Sequence, residues 1–137
     1  MSASAQPKRV LFVCVENSCR SQLAQAFVNL RGDRNIEAFS AGSRPSGVVN
    51  PKAITSMREL GYDLSKHTSK GLDDIPDVEF DAAITMGCGD ACPMVRARIH
   101  EDWGIPDPKH LDAAEFRKVR EMIDAKVKDL LQRLTVE

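Results

Sequence analysis

The sequence predicts an α/β fold in which helices pack on both faces of an open parallel sheet. Short apolar runs and amphipathic helical patterns alternate along the 137 residues, which implies right-handed crossovers between parallel strands. The first apolar run shows no polar alternation, as in strands that are buried on both faces. The length fits one domain, which we place at residues 8–137 after a flexible segment at residues 1–7.

The apolar runs predict four strands. Their ranges are Val10–Val13, Ile36–Ser40, Phe80–Met86 and, more weakly, Arg98–Glu101. Ligands in such sheets bind beyond the carboxyl ends of the strands. Cys14 and Cys88 follow the first and third strands, so we expect them to share one edge of the sheet.

Apolar residues at helical spacing predict three helices. Their apolar stripes run over Leu23–Leu30, Ala53–Leu60 and Phe116–Leu134. Asn50 and Pro51 form a suitable start for the second helix, and Gly61 forms its end. Asp112 is a suitable N-cap for the third helix, with Glu115 three residues later.

Composition and charge exclude several classes of function. Nineteen basic and twenty acidic side chains give a formal net charge of −1, which argues against nucleic-acid and polybasic membrane surfaces. The apolar runs are far shorter than the roughly 20 residues of a membrane span. Met1–Gln6 has no apolar secretory core, so we expect a cytoplasmic protein. In that reducing compartment Cys14, Cys19, Cys88 and Cys92 are expected to remain thiols or to be redox-active.

The stretch from Cys14 to Ser21 has the chemistry of an oxyanion-binding loop. A cysteine, five residues and an arginine stand between a strand and a helix, so their backbone N–H groups can surround a tetrahedral anion. Arg20 adds a bidentate donor, and the same donors favour the nucleophilic thiolate of Cys14. Ser21 can donate to that thiolate, and Asn17 suits a left-handed turn. The predicted anion-binding residues are Val15, Glu16, Asn17, Ser18, Cys19, Arg20 and Ser21. The side chain of Cys19 is expected to point into the core.

These segments resemble the low-molecular-weight tyrosine phosphatase superfamily, and its arsenate reductase branch in particular. The resemblance lies in VLFVCVENSCRSQLAQAF, SAGSRPSGVVNPKAI, TSKGLDD, TMGCGDACP, EDWGIPDP and EFRKVREMI, which cover nearly the whole chain. It implies a three-layer sandwich with a four-stranded parallel sheet in flavodoxin-like order. It also implies that Asp107, before Pro108, is the general acid that protonates the departing hydroxide.

Two further cysteines favour a reductase over a phosphatase. Phosphate and arsenate share shape and charge, so the loop alone does not separate the two reactions. Reduction requires two electrons, which thiols supply by attacking a thiol-bound arsenic and forming a disulfide. Cys88 and Cys92 can face each other across one helical turn, and Gly87 and Gly89 give the backbone freedom to move. Unreactive buried cysteines and a zinc site are the alternatives.

The chain departs from the family pattern beside the loop. Relatives that bind potassium there use acidic residues where this chain has Gln25 and Lys70. We expect the ammonium of Lys70 to take the place of the cation near Asn17 and Ser40 and to stiffen the loop. A solvated surface lysine is the alternative.

The resulting hypothesis is an arsenate reductase that acts as a monomer without a metal ion or a tightly bound cofactor. Cys14 attacks arsenate, Cys88 attacks Cys14, and Cys92 attacks Cys88, an order inferred from their order along the chain. Phosphate or sulfate is expected to mimic arsenate. An external reductant, thioredoxin or alternatively glutaredoxin or a small thiol, restores the thiols. The rival functions are a tyrosine phosphatase and a non-enzymatic module that binds oxyanions or senses redox state.

Overall fold

Strands and helices alternate along the chain in the predicted order. The structure, a computed structural model, describes residues 7–31, 35–87 and 95–135. Its strands are β1 (Lys8–Cys14), β2 (Ile36–Gly42), β3 (Phe80–Thr85) and β4 (Ala97–Asp102). Its α-helices are α1 (Arg20–Arg31), α2 (Pro51–Arg58) and α3 (Ala113–Thr135). Two short 3-10 helices lie between α2 and β3, at Leu64–Lys66 and Leu72–Asp74.

The four strands form one parallel sheet in the order β2-β1-β3-β4. This confirms the four-stranded parallel sheet and its flavodoxin-like order. The chain moves outward from β1 first to β2 and later to β3, so a topological switch point lies between β1 and β3. Loops leave the carboxyl ends of these two strands in opposite directions and open a crevice there. Cys14 is the last residue of β1 and stands at that crevice.

Strand β1 is buried on both faces, as its unbroken apolar run predicts. Val10 and Phe12 belong to a large core cluster that also contains the buried faces of all three α-helices. Leu11 and Val13 belong to a smaller cluster on the opposite face. Among the described residues, this smaller cluster is covered by the segment from Leu72 to Val78. The sheet thus lies between two packed layers, and in the described residues the three α-helices cover one face while the 3-10 helix Leu72–Asp74 lies on the other.

The helix starts agree with the predicted caps, and Gly61 follows α2 with the positive φ (+82°) of a helix-ending glycine, but two apolar stripes end earlier than predicted. The Asn50 side chain accepts from Lys52 N at 2.8 Å, and Asp112 Oδ1 accepts from Glu115 N at 2.9 Å. The apolar stripes were extended too far, because Leu30 and Leu60 are 40% and 38% exposed. Leu60 lies beyond the end of α2 at Arg58, where the chain has already turned away from the core. Within the described ranges, the helices are too short or too polar to cross a bilayer.

Candidate active site

The loop between β1 and α1 is built around the buried side chain of Asn17. Its backbone has φ +50°, which confirms the predicted left-handed turn. Asn17 Oδ1 accepts from Lys70 N at 2.7 Å and from Gln22 Nε2 at 3.0 Å. Asn17 Nδ2 donates to Ser21 Oγ at 2.9 Å. Every polar atom of this amide is therefore used to hold the loop closed.

Cys14 and Ser21 form the reactive pair that the loop pattern predicts. Cys14 Sγ lies 2.9 Å from Ser21 Oγ, and the cysteine is 4% exposed. A thiolate has no proton to donate, so the hydroxyl is the donor when Cys14 is ionised. Because Ser21 Oγ already accepts from Asn17, its hydrogen is free to point at the sulfur. The Ser21 hydroxyl thus lies in position to donate to the sulfur of Cys14.

Cys19, the second cysteine of the loop, has a different environment. It is 6% exposed and belongs to the large core cluster, as expected for a structural thiol. Burial, together with the smaller effect of the nearby Asp107 charge, raises its pKa to about 12. Cys19 therefore stays protonated near neutral pH, as a structural thiol does.

Gly42, at the end of β2, allows the loop to lie directly against the sheet. It is paired with Cys14 in the register of β1 and β2. A Cβ atom at this position would lie 2.5 Å from Val15 O and 2.9 Å from Asn17 N. Only a glycine fits this approach, because both contacts are to backbone atoms that hold the shape of the loop.

Arg20 ties the loop to two other segments. Its Nη1 donates to the carbonyl oxygens of Met86 at 2.9 Å and of Ile105 at 2.8 Å. Met86 precedes the segment that carries Cys88, and Ile105 precedes Asp107 by two residues. The guanidinium therefore lies between the three parts of the predicted site.

A small cavity brings most of the predicted residues together. Its volume is about 130 Å³. The residues that line it are Cys14, Val15, Glu16, Ser18, Cys19, Arg20, Asp107 and Lys109. Cys14, Arg20 and Asp107, the predicted nucleophile, anion ligand and acid, thus line one cavity. Cys88 and Cys92, the two cysteines of the predicted relay, lie outside the described residues.

The comparisons with known proteins agree with this geometry. Residues 9–137 match the family model described as "Low molecular weight phosphotyrosine protein phosphatase". The chain belongs to this family. The glutaredoxin arsenate reductase of Synechocystis sp. is 37% identical to it over 131 residues, which are 93% of this chain and 99% of that protein. The resemblance to the arsenate reductase branch is therefore confirmed.

Solved structures of arsenate reductases share the fold. An arsenate reductase in the phosphate-binding state gives a TM-score of 0.85 at 37% identity and covers 93% of this chain and 99% of that one. The thioredoxin-dependent arsenate reductase of Corynebacterium glutamicum gives a TM-score of 0.78 at 29% identity. That comparison covers 98% of this chain and 65% of the other. The fold of these arsenate reductases is thus shared over nearly the whole of this chain.

The contacts of Lys70 differ in detail from the sequence-based expectation. Its backbone N–H, rather than its ammonium, reaches Asn17. The ammonium donates to Thr68 O at 2.9 Å, and burial lowers the pKa of Lys70. Ser40 Oγ donates to Gln25 Oε1 at 2.6 Å. Lys70 and Ser40 therefore both lie behind the loop, but their side chains bond different residues, Thr68 and Gln25.

Two residues behind the loop were not found from the sequence. Gln22 is fully buried, and its Nε2 is directed at Asn17 O and Thr68 O at 3.0 and 2.9 Å. Its Oε1 accepts from His67 Nδ1 at 2.9 Å, and Tyr62 Oη lies 2.6 Å from His67 Nε2. Burial lowers the pKa of His67, so the ring is neutral and holds the amide of Gln22 in one orientation.

Lys52, a third residue without a sequence signal, holds the segment that follows Asp107. Its Nζ donates to Lys109 O at 3.1 Å and to Leu111 O at 2.9 Å. The adjacent Asn50 N donates to Ser18 O at 2.8 Å. The start of α2 is thus bonded to both sides of the cavity.

Substitution of Gly42 tests the close approach of the loop. The added Cβ of Gly42→Ala must displace the backbone near Val15. Overpacking costs about 1–3 kcal/mol, so we expect phosphate to bind roughly tenfold more weakly. The measurement is the protection by phosphate of Cys14 against iodoacetamide. Gly71→Ala is the matched control, because its Cβ would meet the Pro45 side chain at an ordinary 3.4 Å. Equal protection in both variants would contradict this account of the loop.

Proposed function

We propose that this protein reduces arsenate to arsenite through its own thiols. The proposal depends mainly on one combination, a closed oxyanion loop around nucleophilic Cys14 in a chain that also contains Cys88 and Cys92. The similarity to arsenate reductases over more than nine-tenths of the chain supports the same reaction. The expected product is arsenite, as in arsenic detoxification.

The first step forms a bond between sulfur and arsenic. Arsenate lies in the cavity on the N–H groups of the loop, and the Cys14 thiolate attacks arsenic. Hydroxide leaves the arsenic and takes a proton from Asp107, so that water departs. The position of Asp107 in the cavity lining, beside Cys14 and Arg20, supports its role as the acid. Arsenic remains As(V) at this stage.

The second step transfers the electrons. The Cys88 thiolate attacks the Cys14 sulfur, the S–As bond breaks, and its electron pair stays on arsenic. Arsenic is thereby reduced to As(III) and leaves as arsenite, while Cys14 and Cys88 become a disulfide. Cys92 then attacks Cys88, which frees Cys14 and forms the Cys88–Cys92 disulfide. Two electrons leave the protein's thiols for each arsenate that is reduced.

An external dithiol protein returns these two electrons. We propose thioredoxin, which the printed name of the Corynebacterium glutamicum reductase supports. Glutaredoxin is the alternative, because the Synechocystis relative is named for it. We further propose that the chain acts as a monomer in the cytoplasm and needs no resident cofactor, because its thiols provide the electrons.

A coupled assay tests the reaction and its reductant together. The purified chain is mixed with arsenate, NADPH and either the thioredoxin or the glutaredoxin system. We expect NADPH oxidation and arsenite release in the thioredoxin arm, and neither after Cys14→Ser. Turnover in the glutaredoxin arm alone would overturn the choice of reductant. Absence of arsenite in both arms would overturn the function.

The same preparation tests the phosphatase alternative, which the family assignment favours. Hydrolysis of p-nitrophenyl phosphate is followed for the native chain and for a variant that lacks both Cys88 and Cys92. A hydrolase needs only Cys14 and water after the first step. Efficient hydrolysis that survives loss of both cysteines, without arsenite formation, would identify a phosphatase.

Replacement of the last cysteine tests the order of the relay. In Cys92→Ser, arsenic can still leave when Cys88 attacks Cys14, but that disulfide cannot be passed on. We therefore expect about one arsenite per protein molecule and a trapped Cys14–Cys88 disulfide that is visible by peptide mass spectrometry. Sustained turnover with thioredoxin would show that Cys92 is not the last thiol.

We also propose that Lys70 replaces a bound cation behind the loop. Its partly buried ammonium, which donates to Thr68 O at 2.9 Å, supports this proposal. The native chain should therefore turn over equally in potassium and in sodium at equal ionic strength. The Lys70→Asp variant should turn over more slowly than the native chain in sodium and regain the native rate in potassium. The control variant Lys66→Asp, at an exposed position, should have the same rate with either cation. Potassium dependence of the native chain would contradict the proposal.

A further inference from the structure

An ion pair crosses the mouth of the oxyanion cavity. Glu16 belongs to the loop, and Lys109 follows Asp107 by two residues. Lys109 Nζ lies 3.4 and 3.5 Å from the two carboxylate oxygens of Glu16. Both side chains line the same cavity as Cys14, and they are 44% and 45% exposed. The pair therefore joins two distant segments beside the place where the anion binds.

The backbones of both partners are fixed independently of the ion pair. Lys109 N donates to Asp107 Oδ1 at 3.0 Å, and Lys109 O accepts from Lys52 Nζ at 3.1 Å. On the other side, Glu16 O accepts from Ser69 Oγ at 2.9 Å. The two side chains are thus presented to each other from anchored positions. Their contact is a feature of the site rather than a chance encounter of long surface side chains.

The charge of Glu16 is unusual in this position. The loop must bind a dianion, and an unpaired carboxylate at its mouth would repel that anion. Lys109 cancels this charge where the anion enters. Exposed ion pairs contribute little to folding stability, so the main effect of this one is on the local potential.

The size of the cavity adds a second restriction. Its volume of about 130 Å³ is well below the roughly 300 Å³ at which pockets for drug-sized ligands begin. Its lining residues include no aromatic side chain among the described part of the chain. A phosphate ester would have to place its organic group where Glu16 and Lys109 meet. It would then separate the pair and gain no apolar contact in return.

We propose that Glu16 and Lys109 form a specificity-determining pair, which favours small inorganic tetrahedral dianions over phosphate monoesters. Lys109 keeps the carboxylate from repelling the free dianion, and the closed pair excludes the ester's organic group. The inference deepens the proposed function, because it names the class of substrate that the loop accepts. It concerns binding and can be measured without turnover.

A double-mutant cycle tests the charge effect. The variants are Lys109→Ala, Glu16→Gln and the two combined. The readout is the concentration of arsenate or phosphate that protects Cys14 from iodoacetamide, followed by mass spectrometry of its peptide. Lys109→Ala should weaken protection by about fivefold at low salt, because Glu16 is left unpaired. The double variant should recover most of this loss.

A surface pair on α3 provides the matched control. Lys118 Nζ lies 3.3 Å from Glu115 Oε1, which is close to the distance in the mouth pair. Lys118→Ala removes the same kind of contact outside the cavity and should leave protection unchanged. Melting temperatures of all variants show whether each one is folded. Equal effects of Lys109→Ala and Lys118→Ala, or no recovery in the double variant, would overturn the charge effect.

Phenylphosphonate, a non-hydrolysable monoester mimic, tests the exclusion of organic groups. The native chain should prefer inorganic phosphate, and the double variant of Glu16 and Lys109 should reduce this preference because the mouth is open. An unchanged preference would overturn the proposed selectivity. These results are separate from the proposed reaction. If arsenate protects Cys14 of the native chain but no arsenite forms, the proposed reductase reaction is contradicted. The proposed role of the Glu16–Lys109 pair in binding is not affected by that result.

Discussion

The buried amide of Asn17 is the contact on which the rest of the site depends. It connects Lys70 and Gln22 on one side of the loop with Ser21 on the other. Through Ser21 it also orients the proton that a Cys14 thiolate accepts. A polar group buried in this way must be fully paired, so its partners hold it in a single orientation. The shape of the loop and the hydrogen bond between Ser21 and the Cys14 sulfur thus have the same origin.

The parallel sheet explains why such a loop can form where it does. The order β2-β1-β3-β4 leaves a crevice at the carboxyl end of β1, where Cys14 ends the strand and the loop begins. Gly42 on the neighbouring strand removes the one side chain that would fill the space behind the loop. Asp107 arrives from beyond β4, on the same edge of the sheet. The sheet thus determines where the loop lies, and the loop carries the cysteine and the arginine of the candidate site.

The parts that could be predicted from the sequence are those determined by local patterns. The unbroken run of β1, the cap at Asp112 and the left-handed turn at Asn17 each follow from a few adjacent residues. The ends of the apolar stripes at Leu30 and Leu60 were wrong, because helical spacing alone does not show where a chain leaves the core. Local patterns thus identify elements more reliably than their limits.

Residues that act across long sequence separations gave no usable signal. Gln22 bonds His67, 45 residues away, and Lys52 bonds Leu111, 59 residues away. Nothing in the residues around them shows these pairings, because they exist only after the sheet and helices have packed. The same holds for the backbone N–H of Lys70, which reaches Asn17, 53 residues away.

The two carbonyl contacts of Arg20 have a consequence for what could replace it. Both hydrogens of Nη1 are used by Met86 O and Ile105 O. A guanidinium has five N–H donors, so three remain in the same plane for a ligand, as many as a whole lysine ammonium possesses. A lysine of equal charge would have to abandon either the two neighbouring segments or the anion. The position therefore requires an arginine because of the number of its N–H donors. A positive charge alone would not be enough.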